Sequence, residues 1–449
     1  MPGFYQKSAA CNREMRAIRS PLVLGSNVVI VGGGIAGLAA SIYLARGGRT
    51  VTLFEKRRFL GGRAVTHLRH GYRFNLGPHA FYRRGPGAAV LRELGISVRG
   101  GTTRAKGIAL LGRERHKLPA GLGSVLTTRL FSAADRLEAA MLLFRIRRMD
   151  NPLFGTAVSA RAWVDSTVTR PRVREVVTAL LRLATYCADL EKISAGAAVA
   201  QLRLAMRGVV YVDEGWQKIV DALHTSAVTA GVNFVTSSRV IEVEHDGGSV
   251  RAIELGGLES DAQDTAEIVV PPARMTPNGA HLPSDTVLLA VEPSAVRELV
   301  PELELPDLRP ALLSSLDVGL SRLPNPKKTF AVGIDEPLYY SVHSRWAQLT
   351  PKGGALLHVA RYGGGDESDL ERLLEEMQPG WRELVVHCRF LPSMVVSNGV
   401  IPPLPATRPG PVTRIRGLYI AGDWVGDTGL LSDASLASAR AAARAILGT

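Results

Sequence analysis

The feature that most constrains the fold is a glycine-rich turn at residues 32–37, which directly follows the apolar, β-branched run Val28–Val31. A short run of this kind predicts a buried parallel strand, and Gly32 then permits a tight bend. Gly34 lets the backbone approach a diphosphate closely, and Gly37 lets the following helix pack against the strand. The spacing therefore predicts a strand, a turn and a helix that together bind a dinucleotide.

The first helical residues after this turn, Ile35 and Ala36, are the predicted diphosphate contacts. Backbone N–H groups at a helix start, together with the helix dipole, stabilise negative charge without a lysine. Residues 50–55 form a second predicted strand that ends at Glu55. A carboxylate here can accept hydrogen bonds from both ribose hydroxyls and would repel a 2′-phosphate, which argues against NADP. The alternative is a solvated charge at a strand end.

A second glycine pair at residues 61–62 precedes Arg63, and a nicotinamide dehydrogenase has no need of such a pair. The run of residues 55–64 resembles the extended FAD fingerprint that flavin amine oxidases, protoporphyrinogen oxidases and phytoene desaturases share. This resemblance implies that FAD is the cofactor and that Lys56 and Gly62 lie in its binding site. It also implies that Arg63 lies near the FAD phosphates and ribityl chain. The alternative is an ordinary turn.

Residues 71–82 resemble the segment of the same family that passes beside the flavin ring, and they are most similar to the phytoene-desaturase-like branch. That branch commonly has Asp where Asn75 stands. The resemblance implies that Gly77, Pro78 and His79 contact FAD. A histidine beside a flavin can transfer a proton near neutral pH, but it can also orient backbone or pack on the ring, which is the interpretation we favour. No catalytic residue is therefore assigned.

Two later segments complete the resemblance. The strand that begins at Val240 is similar to the family's second FAD segment, in which a valine backbone meets the adenine, although a strand valine can also be plain core. Near the C-terminus, the resemblance implies that Gly422 and Asp423 hold the flavin end, with the Asp423 carboxylate bonded to a ribityl hydroxyl. The helix that starts at Leu430 and Leu431 would point its N-terminus at the flavin pyrimidine, where its dipole stabilises anionic reduced flavin.

The predicted fold class is α/β: a Rossmann-like FAD-binding domain of the two-dinucleotide-binding-domain type, interleaved with an α+β substrate domain. Helical periodicity also predicts a helix over residues 367–377 within the substrate domain. The predicted boundaries are an N-terminal extension at residues 1–22, a discontinuous FAD-binding domain at residues 23–100, 206–300 and 406–449, and a discontinuous substrate domain at residues 101–205 and 301–405.

Composition narrows the expected partners. The formal net charge of +13 is spread along the chain without any zinc-finger, homeodomain or RNA-binding signature, so nucleic acid is not an expected partner. The three cysteines are widely separated and the histidines lack metal-ligand spacing, so no metal is expected and a reducing, cytoplasmic compartment fits. Residues 129–148 interleave large apolar residues with arginines. Such a helix could lie peripherally on an anionic membrane, but packing against the core explains the same pattern and is the interpretation we favour.

The motifs leave the reaction open, because flavin can take a hydride at N5 from an allylic carbon, an alcohol or an amine. Our leading hypothesis is dehydrogenation or desaturation of an apolar, isoprenoid-like small molecule by FAD alone. Aromatic residues make up only 6% of the chain, and no clear aromatic pair stands near the C-terminal motif to frame an amine. The alternatives are a flavin amine oxidase, a non-redox polyene isomerase that needs reduced flavin, and a binding protein that has lost its cofactor. The electron acceptor and the oligomeric state stay open.

Overall fold

The computed structural model describes residues 28–103, 106–149, 155–256 and 279–449. The predicted N-terminal extension at residues 1–22 lies outside the described residues, as does Cys11. Within the described residues, the α-helices are α1 (Ile35–Arg46), α2 (Pro86–Glu93), α3 (Leu122–Thr127), α4 (Ala133–Arg148), α5 (Ala160–Thr167), α6 (Pro171–Thr185), α7 (Ala195–Met206), α8 (Gln217–Thr229), α9 (Pro293–Leu299), α10 (Glu367–Met377) and α11 (Leu431–Leu447). The β-strands are β1 (Val28–Val31), β2 (Val51–Phe54), β3 (Thr66–Arg69), β4 (Tyr72–Asn75), β5 (Phe81–Tyr82), β6 (Gly100–Thr102), β7 (Ile108–Leu111), β8 (Glu114–Lys117), β9 (Val209–Val212), β10 (Asn233–Val235), β11 (Val240–His245), β12 (Val250–Leu255), β13 (His281–Pro283), β14 (Val287–Leu289), β15 (Ala311–Leu320), β16 (Phe330–Gly333), β17 (Leu338–Val342), β18 (Ala355–Tyr362), β19 (Val385–Ser397) and β20 (Leu418–Ile420).

The first sheet has five strands in the order β10-β2-β1-β14-β20, and every neighbouring pair in it is parallel. Its central strands are short apolar runs that are buried along their whole length, as a parallel sheet covered on both faces requires. In the register of β1, Val28 lies opposite Val51 of β2, and Val29 lies opposite Val287 of β14. The predicted βαβ unit and the Rossmann-like fold class are confirmed.

The C-terminal helix packs on the same sheet layer as the glycine-rich turn. Helix α11 lies against α1 and buries the small residues Ala439, Ala442 and Ala443, which let two helices approach closely. At the end of α1, a Cβ on Gly47 would lie 2.6 Å from the Leu447 side chain, so the two helix ends are in close contact there. Two segments that are far apart in the sequence therefore form one layered unit.

The second large sheet has seven strands in the order β19-β15-β18-β17-β16-β7-β8 and is antiparallel except for the β16–β7 pair. Helices α4 to α7 pack their apolar faces on one another and against the β16 end of this sheet. Strands β7 and β8 come from an earlier part of the chain than β15 to β19, and β10 to β14 of other sheets lie between them in sequence. The predicted interleaving is thus confirmed, whereas the exact domain boundaries stay a prediction.

Helix α4 corresponds to the predicted segment at residues 129–148. It begins after Ser132, whose Oγ accepts a hydrogen bond from the Asp135 N–H while the Asp135 carboxylate accepts one from the Ser132 N–H. This reciprocal cap satisfies two amides that the helix cannot pair. No helix among the described residues is long and apolar enough to cross a bilayer.

Candidate cofactor and substrate sites

A cavity of about 640 Å³ opens at the carboxyl ends of β1 and β2, the edge at which parallel α/β sheets bind ligands. Its lining is drawn from chain segments that are distant in sequence but converge at this edge. They are the glycine-rich turn with the start of α1, residues 54–57, 61–64, 76–80, 238–241, 290–299 and 391–398, the turn at 422–423, and the start of α11. The sheet topology thus brings both ends of the described chain to one cavity.

The glycine-rich turn is built as its spacing predicts. Gly32 has φ +107°, and a Cβ there would lie 2.5 Å from the Ala290 carbonyl oxygen. A Cβ on Gly37 would lie 2.0 Å from the Gly32 carbonyl oxygen, so helix and turn can pack this closely only without a side chain. Around Gly34, by contrast, a Cβ would meet nothing within 4 Å, because this residue faces the cavity. A side chain at this position would occupy the space that a diphosphate needs.

The second glycine pair supports the turn from the side. The Gly61 N–H donates a hydrogen bond to the Gly33 carbonyl (2.8 Å), and Gly61 and Gly34 form an isolated parallel bridge. Gly61 and Gly62 have φ of +124° and +57°, a region that favours glycine. Residues 61–62 therefore hold the turn in place and contribute to the cavity wall.

Glu55 lies at the end of β2 and is buried against the turn. Its Oε2 accepts a hydrogen bond from the Gly33 N–H (2.7 Å), and its Oε1 accepts one from the Arg57 N–H (2.9 Å). Two amides thus fix the carboxylate, and each oxygen keeps a further lone pair for a ligand. The side chain lines the cavity, where the predicted ribose contact requires it.

Arg63 and Asp423 form an ion pair across the cavity wall, with Nη2 2.8 Å from Oδ1. Asp423 also accepts hydrogen bonds from the backbone N–H (2.9 Å) and the side-chain amide (3.0 Å) of Asn398. Burial opposes ionisation of Asp423, but Arg63 and Asn398 outweigh it and hold the pKa of this carboxyl below its usual value. Arg63 donates in addition to the Val396 carbonyl (3.0 Å), so one guanidinium joins the FAD fingerprint, β19 and the C-terminal motif.

Most of the predicted cofactor-binding residues lie together in this cavity. Gly37, Gly77 and Leu430 lie outside its lining: Gly37 contacts the turn, Gly77 donates its N–H to Asp317 (3.2 Å), and Leu430 is buried in the core of the helical layer. No sequence motif marks Asn398, which follows β19 and reaches the site only through tertiary folding. The predicted residues that line the cavity are Gly32, Gly34, Ile35, Ala36, Glu55, Lys56, Gly62, Arg63, Pro78, His79, Val240, Gly422, Asp423 and Leu431.

His79 lies in the cavity wall with its ring edge-on to Trp216, the two centroids 5.2 Å apart. Its Nδ1 is 3.2 Å from the Gly77 carbonyl. Burial lowers the pKa of His79 to about 4, so the ring is neutral at physiological pH. This geometry supports the orienting and packing interpretation over an acid–base role near neutrality.

A second cavity of about 170 Å³ adjoins the first, and Ala80 and Tyr186 line both. Helices α4, α6 and α7 supply most of its apolar lining, and β9 and β17 supply further residues. Among the described residues, Lys106 is the one charged side chain in its wall. The side chains that these helices contribute are Ala139, Leu142, Leu143, Ile146, Val173, Val176, Val177, Leu180, Leu183, Ala184, Leu202, Ala205 and Met206.

No local sequence pattern predicts this second cavity, because its lining consists of ordinary core residues on three separate helices. A cavity of dinucleotide-binding geometry at the edge of a parallel sheet, with an apolar cavity beside it that shares two lining residues, is typical of a dinucleotide-dependent oxidoreductase.

Residues 35–321 match the family model of flavin containing amine oxidoreductases, and the chain belongs to this family. It is therefore an FAD-dependent oxidoreductase, as predicted. The glycine cradle, the anchored Glu55 and the empty space beside Gly34 fit FAD.

Curated relatives extend the comparison. The hydroxysqualene dehydroxylase of Rhodopseudomonas palustris is 26% identical over 432 residues, which cover 91% of this chain and 94% of that protein. A coproporphyrinogen III oxidase of Propionibacterium freudenreichii is 31% identical over 192 residues, 39% of this chain and 35% of that protein, so the chain aligns with about a third of its length. A carotenoid 3,4-desaturase of Haloarcula japonica is 52% identical over 54 residues, 12% of this chain and 11% of that protein.

Solved structures share the fold. An oxidoreductase from Methanosarcina mazei superposes with a TM-score of 0.68 at 17% identity, covering 94% of this chain and 100% of that chain. A putrescine oxidase bound to putrescine superposes with a TM-score of 0.66 at 13% identity, covering 94% of this chain and 99% of that chain. At these identities the likeness concerns the fold alone.

Proposed function

We propose that the protein is a dehydrogenase or desaturase of an apolar, isoprenoid-like small molecule, which binds in the second cavity. The observation that carries this proposal is an apolar cavity directly beside the first cavity, with Ala80 and Tyr186 lining both. When bound, FAD supplies the redox chemistry by exchanging a hydride with a carbon of the substrate. The protein's own contribution is to exclude water and to hold one C–H bond in place.

The composition of the second cavity favours an apolar substrate over an amine. Burying a protonated amine without a carboxylate to pair with its charge is costly. In the described part of the chain, the charged side chain at this wall is Lys106, which repels a cation. The names of two relatives, a hydroxysqualene dehydroxylase and a carotenoid 3,4-desaturase, point to isoprenoid substrates as well.

The proposed cofactor contacts follow from the first cavity. The N–H groups of Ile35 and Ala36 begin α1, which has no acidic residue in its first turn, so they are available to a diphosphate. Glu55 would accept from the ribose hydroxyls, and Asp423, held by Arg63, would accept from a ribityl hydroxyl. The backbone of Val240 would contact the adenine. Gly77 and Leu430 act in this proposal by supporting neighbouring residues.

Helix α4 supports a further element of the proposal, which is substrate entry from a membrane surface. Its inner face, with Ala139, Leu142 and Ile146, is buried and lines the second cavity. Core packing therefore accounts for one face only. On the outer face, Leu137 (63%), Met141 (53%) and Phe144 (55%) are exposed.

The surroundings of this face fit an anionic bilayer. Two more apolar side chains, Leu122 and Leu126 of α3, are exposed nearby in a helix that packs on α4. Arg145, Arg147 and Arg148 in the last turn of α4 supply positive charge. A large exposed apolar face bordered by arginines is typical of helices that lie in a bilayer interface. We propose that α3 and α4 contact the membrane. An apolar substrate would then pass from the bilayer along the inner face of α4 into the second cavity.

The test is anaerobic mixing of the FAD-loaded protein with candidate substrates while the flavin absorbance near 450 nm is followed. Both oxidation states are tested: the oxidised protein with isoprenoids and with polar amines, and the chemically reduced protein with unsaturated or hydroxylated isoprenoids. Isoprenoids are expected to change the flavin redox state, and amines are not. A response to polar amines alone would overturn the proposal in favour of an amine oxidase.

A further inference from the structure

Tyr211 and Tyr339, which each carry a hydroxyl group, are among the residues that line the mainly apolar second cavity. Their oxygens are 3.4 Å apart, and the Tyr211 oxygen is also 3.4 Å from Ser341 Oγ. These separations exceed the roughly 2.5–3.0 Å of a good O–H···O hydrogen bond. Each hydroxyl can therefore form a shorter and stronger hydrogen bond than these neighbouring hydroxyl groups provide.

His343 lies directly behind the two tyrosines. Its ring stacks on the Tyr211 ring with the centroids 3.9 Å apart, and its Nε2 is 3.2 Å from the Tyr339 hydroxyl. The side chain is fully buried, and its Nδ1 has no hydrogen-bond partner among the described residues. Burial and the neighbouring His358 lower the pKa of His343 well below its usual value, so the ring is neutral and carries one N–H.

The choice of tautomer decides what the Tyr339 hydroxyl can do. If Nδ1 carried the proton, a buried N–H would have no acceptor, which native structures avoid more strictly than a bare acceptor. With the proton on Nε2, the ring donates to the Tyr339 oxygen and Nδ1 is a bare acceptor. The Tyr339 hydroxyl proton is then free to point into the cavity. Burial, with Tyr211 and Tyr186, raises the pKa of Tyr339 far above its usual value, so the phenol stays protonated as a donor.

A second buried histidine holds this arrangement in place. The His358 ring meets the His343 ring edge-on, with the centroids 4.3 Å apart, and its Nδ1 is 2.6 Å from Asp317 Oδ1. Asp317 also pairs with Arg389 (2.6 Å) and accepts from Ser315 Oγ (2.7 Å). Burial opposes the charge of Asp317, but His358 and Arg389 outweigh it and hold the pKa of this carboxyl well below its usual value.

The consequence is a fixed orientation of the His358 ring. An anionic Asp317 accepts the Nδ1–H of His358, and His358 Nε2 has no hydrogen-bond partner in the described chain. The Gly77 N–H also donates to Asp317, so this network touches the segment that carries His79 into the cofactor cavity. Burying an extended polar network among core residues is costly, and one end of this network is the contact of His343 with Tyr211 and Tyr339.

We propose that Tyr339 and Tyr211, oriented by His343, form a polar subsite that binds one oxygen substituent, a hydroxyl or a carbonyl, of an otherwise apolar substrate. This inference rests on the proposed function, because it assigns the substrate to the second cavity. In this subsite the Tyr339 hydroxyl donates the hydrogen bond to the substrate oxygen, and the Tyr211 hydroxyl is a second polar group within reach. His343 is a positioning residue. The bound oxygen would fix the register of the chain relative to the cofactor cavity at Ala80 and Tyr186.

The test compares two probes of equal length, farnesol and the corresponding hydrocarbon farnesene, in titrations of the FAD-loaded protein. Binding is followed through the flavin absorbance and through tryptophan fluorescence, since Trp346 lines the second cavity. The unaltered protein is expected to prefer farnesol about two- to tenfold, the factor that one net hydrogen bond contributes. Tyr339→Phe is expected to abolish this preference by weakening farnesol binding while farnesene binding stays the same.

The matched control is Tyr340→Phe on the same strand. Tyr340 is fully buried, and its hydroxyl pairs with the Lys328 carbonyl (3.1 Å) and the Gln378 side chain (2.9 Å), outside the second cavity. This variant should keep the preference for farnesol, and equal FAD content and melting temperature would show that both variants fold. Equal binding of the two probes by the unaltered protein, or an unchanged preference in Tyr339→Phe, would overturn the subsite alone. Failure of both probes to bind would overturn the proposed function and the subsite with it.

Discussion

The two adjoining cavities are built in different ways. The first cavity, where we propose that FAD binds, is formed by turns at strand ends. The residues that mark it in the sequence are glycines and charged side chains at short, regular spacings, such as Gly32, Gly34 and Glu55. The second cavity is formed mainly by the faces of helices α4, α6 and α7, and its residues differ little from ordinary core. Backbone contact with a phosphate restricts which residues are allowed, whereas enclosing an apolar chain restricts only volume and polarity. The first site can therefore be read from local sequence, and the second cannot.

The largest expected effect tests whether the first cavity can be blocked by itself. Gly34→Leu places a side chain where a Cβ has nothing within 4 Å, so the fold should tolerate it while the diphosphate position is filled. We expect purified protein to lose at least about nine-tenths of its FAD, because the loss of a close backbone approach removes several hydrogen bonds at once. Released FAD and absorbance near 450 nm measure this.

Gly410→Leu is the control for that substitution, since Gly410 is exposed, has the same open surroundings and lies outside both cavities. Retention of FAD in Gly34→Leu would mean that the FAD diphosphate does not bind at the glycine-rich turn.

The next effect tests the second cavity by itself. Ala139→Phe adds a ring to the inner face of α4, where Ala139 lines the cavity. We expect the response of the flavin to isoprenoids to require at least about ten times more substrate, with FAD content unchanged, because the cavity volume is taken up. Overpacking costs roughly 1–3 kcal/mol, so a melting curve accompanies the assay. Ala134→Phe, at an exposed position of the same helix, should behave like the unaltered protein. A simultaneous loss of FAD would mean that the two cavities are not independent.

A smaller effect concerns access to the second cavity. Replacing Leu137, Met141 and Phe144 by Gln should weaken binding to vesicles that contain anionic lipid by about tenfold or more, since each buried apolar side chain can contribute up to about 1.5–3 kcal/mol. Sedimentation with vesicles measures this, and raised salt should weaken binding further by screening the arginines. Val228→Gln with Val412→Gln removes exposed apolar side chains elsewhere and serves as the control. Equal vesicle binding by all three proteins would exclude α4 as the membrane contact.

The smallest expected effect concerns the pH dependence of stability and involves Asp433, at the start of α11, the helix that borders the first cavity. Asp433 is fully buried, its Oδ1 accepts from the Gly87 N–H (2.9 Å), and burial raises its pKa to about 7. Because folding raises this pKa above the unfolded value, the stability it contributes is complete below about pH 4 and is lost as the pH rises through about 7. The limiting slope is about 1.4 kcal/mol per pH unit.

Asp433→Asn removes this titration while keeping an acceptor for the Gly87 N–H. We expect the free energy of unfolding of the variant to depend less on pH between 5 and 7.5 than that of the unaltered protein, as measured by urea titration. Parallel pH profiles would show that Asp433 is ionised in the folded state throughout this range.

Local sequence predicted the regular elements well where the signal is periodic. Helix α10 spans Glu367–Met377 as predicted, and the strand, turn and helix at the start of the described chain lie where the spacing places them. The prediction was incomplete for α4, because periodicity alone cannot tell a face that packs on core from one that is left exposed. Leu137 and Leu142 are leucines of the same periodic pattern, but Leu137 is exposed to solvent whereas Leu142 is buried.

Within the sites, Arg63 and Asp423 could be predicted as members of known motifs, but their direct ion pair could not, since 360 positions separate 63 from 423. Asn398, which completes that contact, carries no motif at all. The network from Arg389 through Asp317 and His358 to His343 and Tyr339 was not predicted either. Its members lie on different strands or just beyond them, and only the order of the seven-stranded sheet makes them neighbours.

The sequence by itself determined the βαβ unit, the FAD cofactor and the family, because glycines, a strand-end carboxylate and helix amides act through backbone geometry over a few residues. The tertiary structure alone decided where the second cavity lies, that Ala80 and Tyr186 line it together with the first cavity, and which hydroxyl-bearing residues line it. These properties depend on side chains brought together from distant segments by sheet order and helix packing, and no local pattern encodes such a neighbourhood. The glycine-rich turn can thus be predicted from local sequence, whereas the second cavity can be found only in the folded structure.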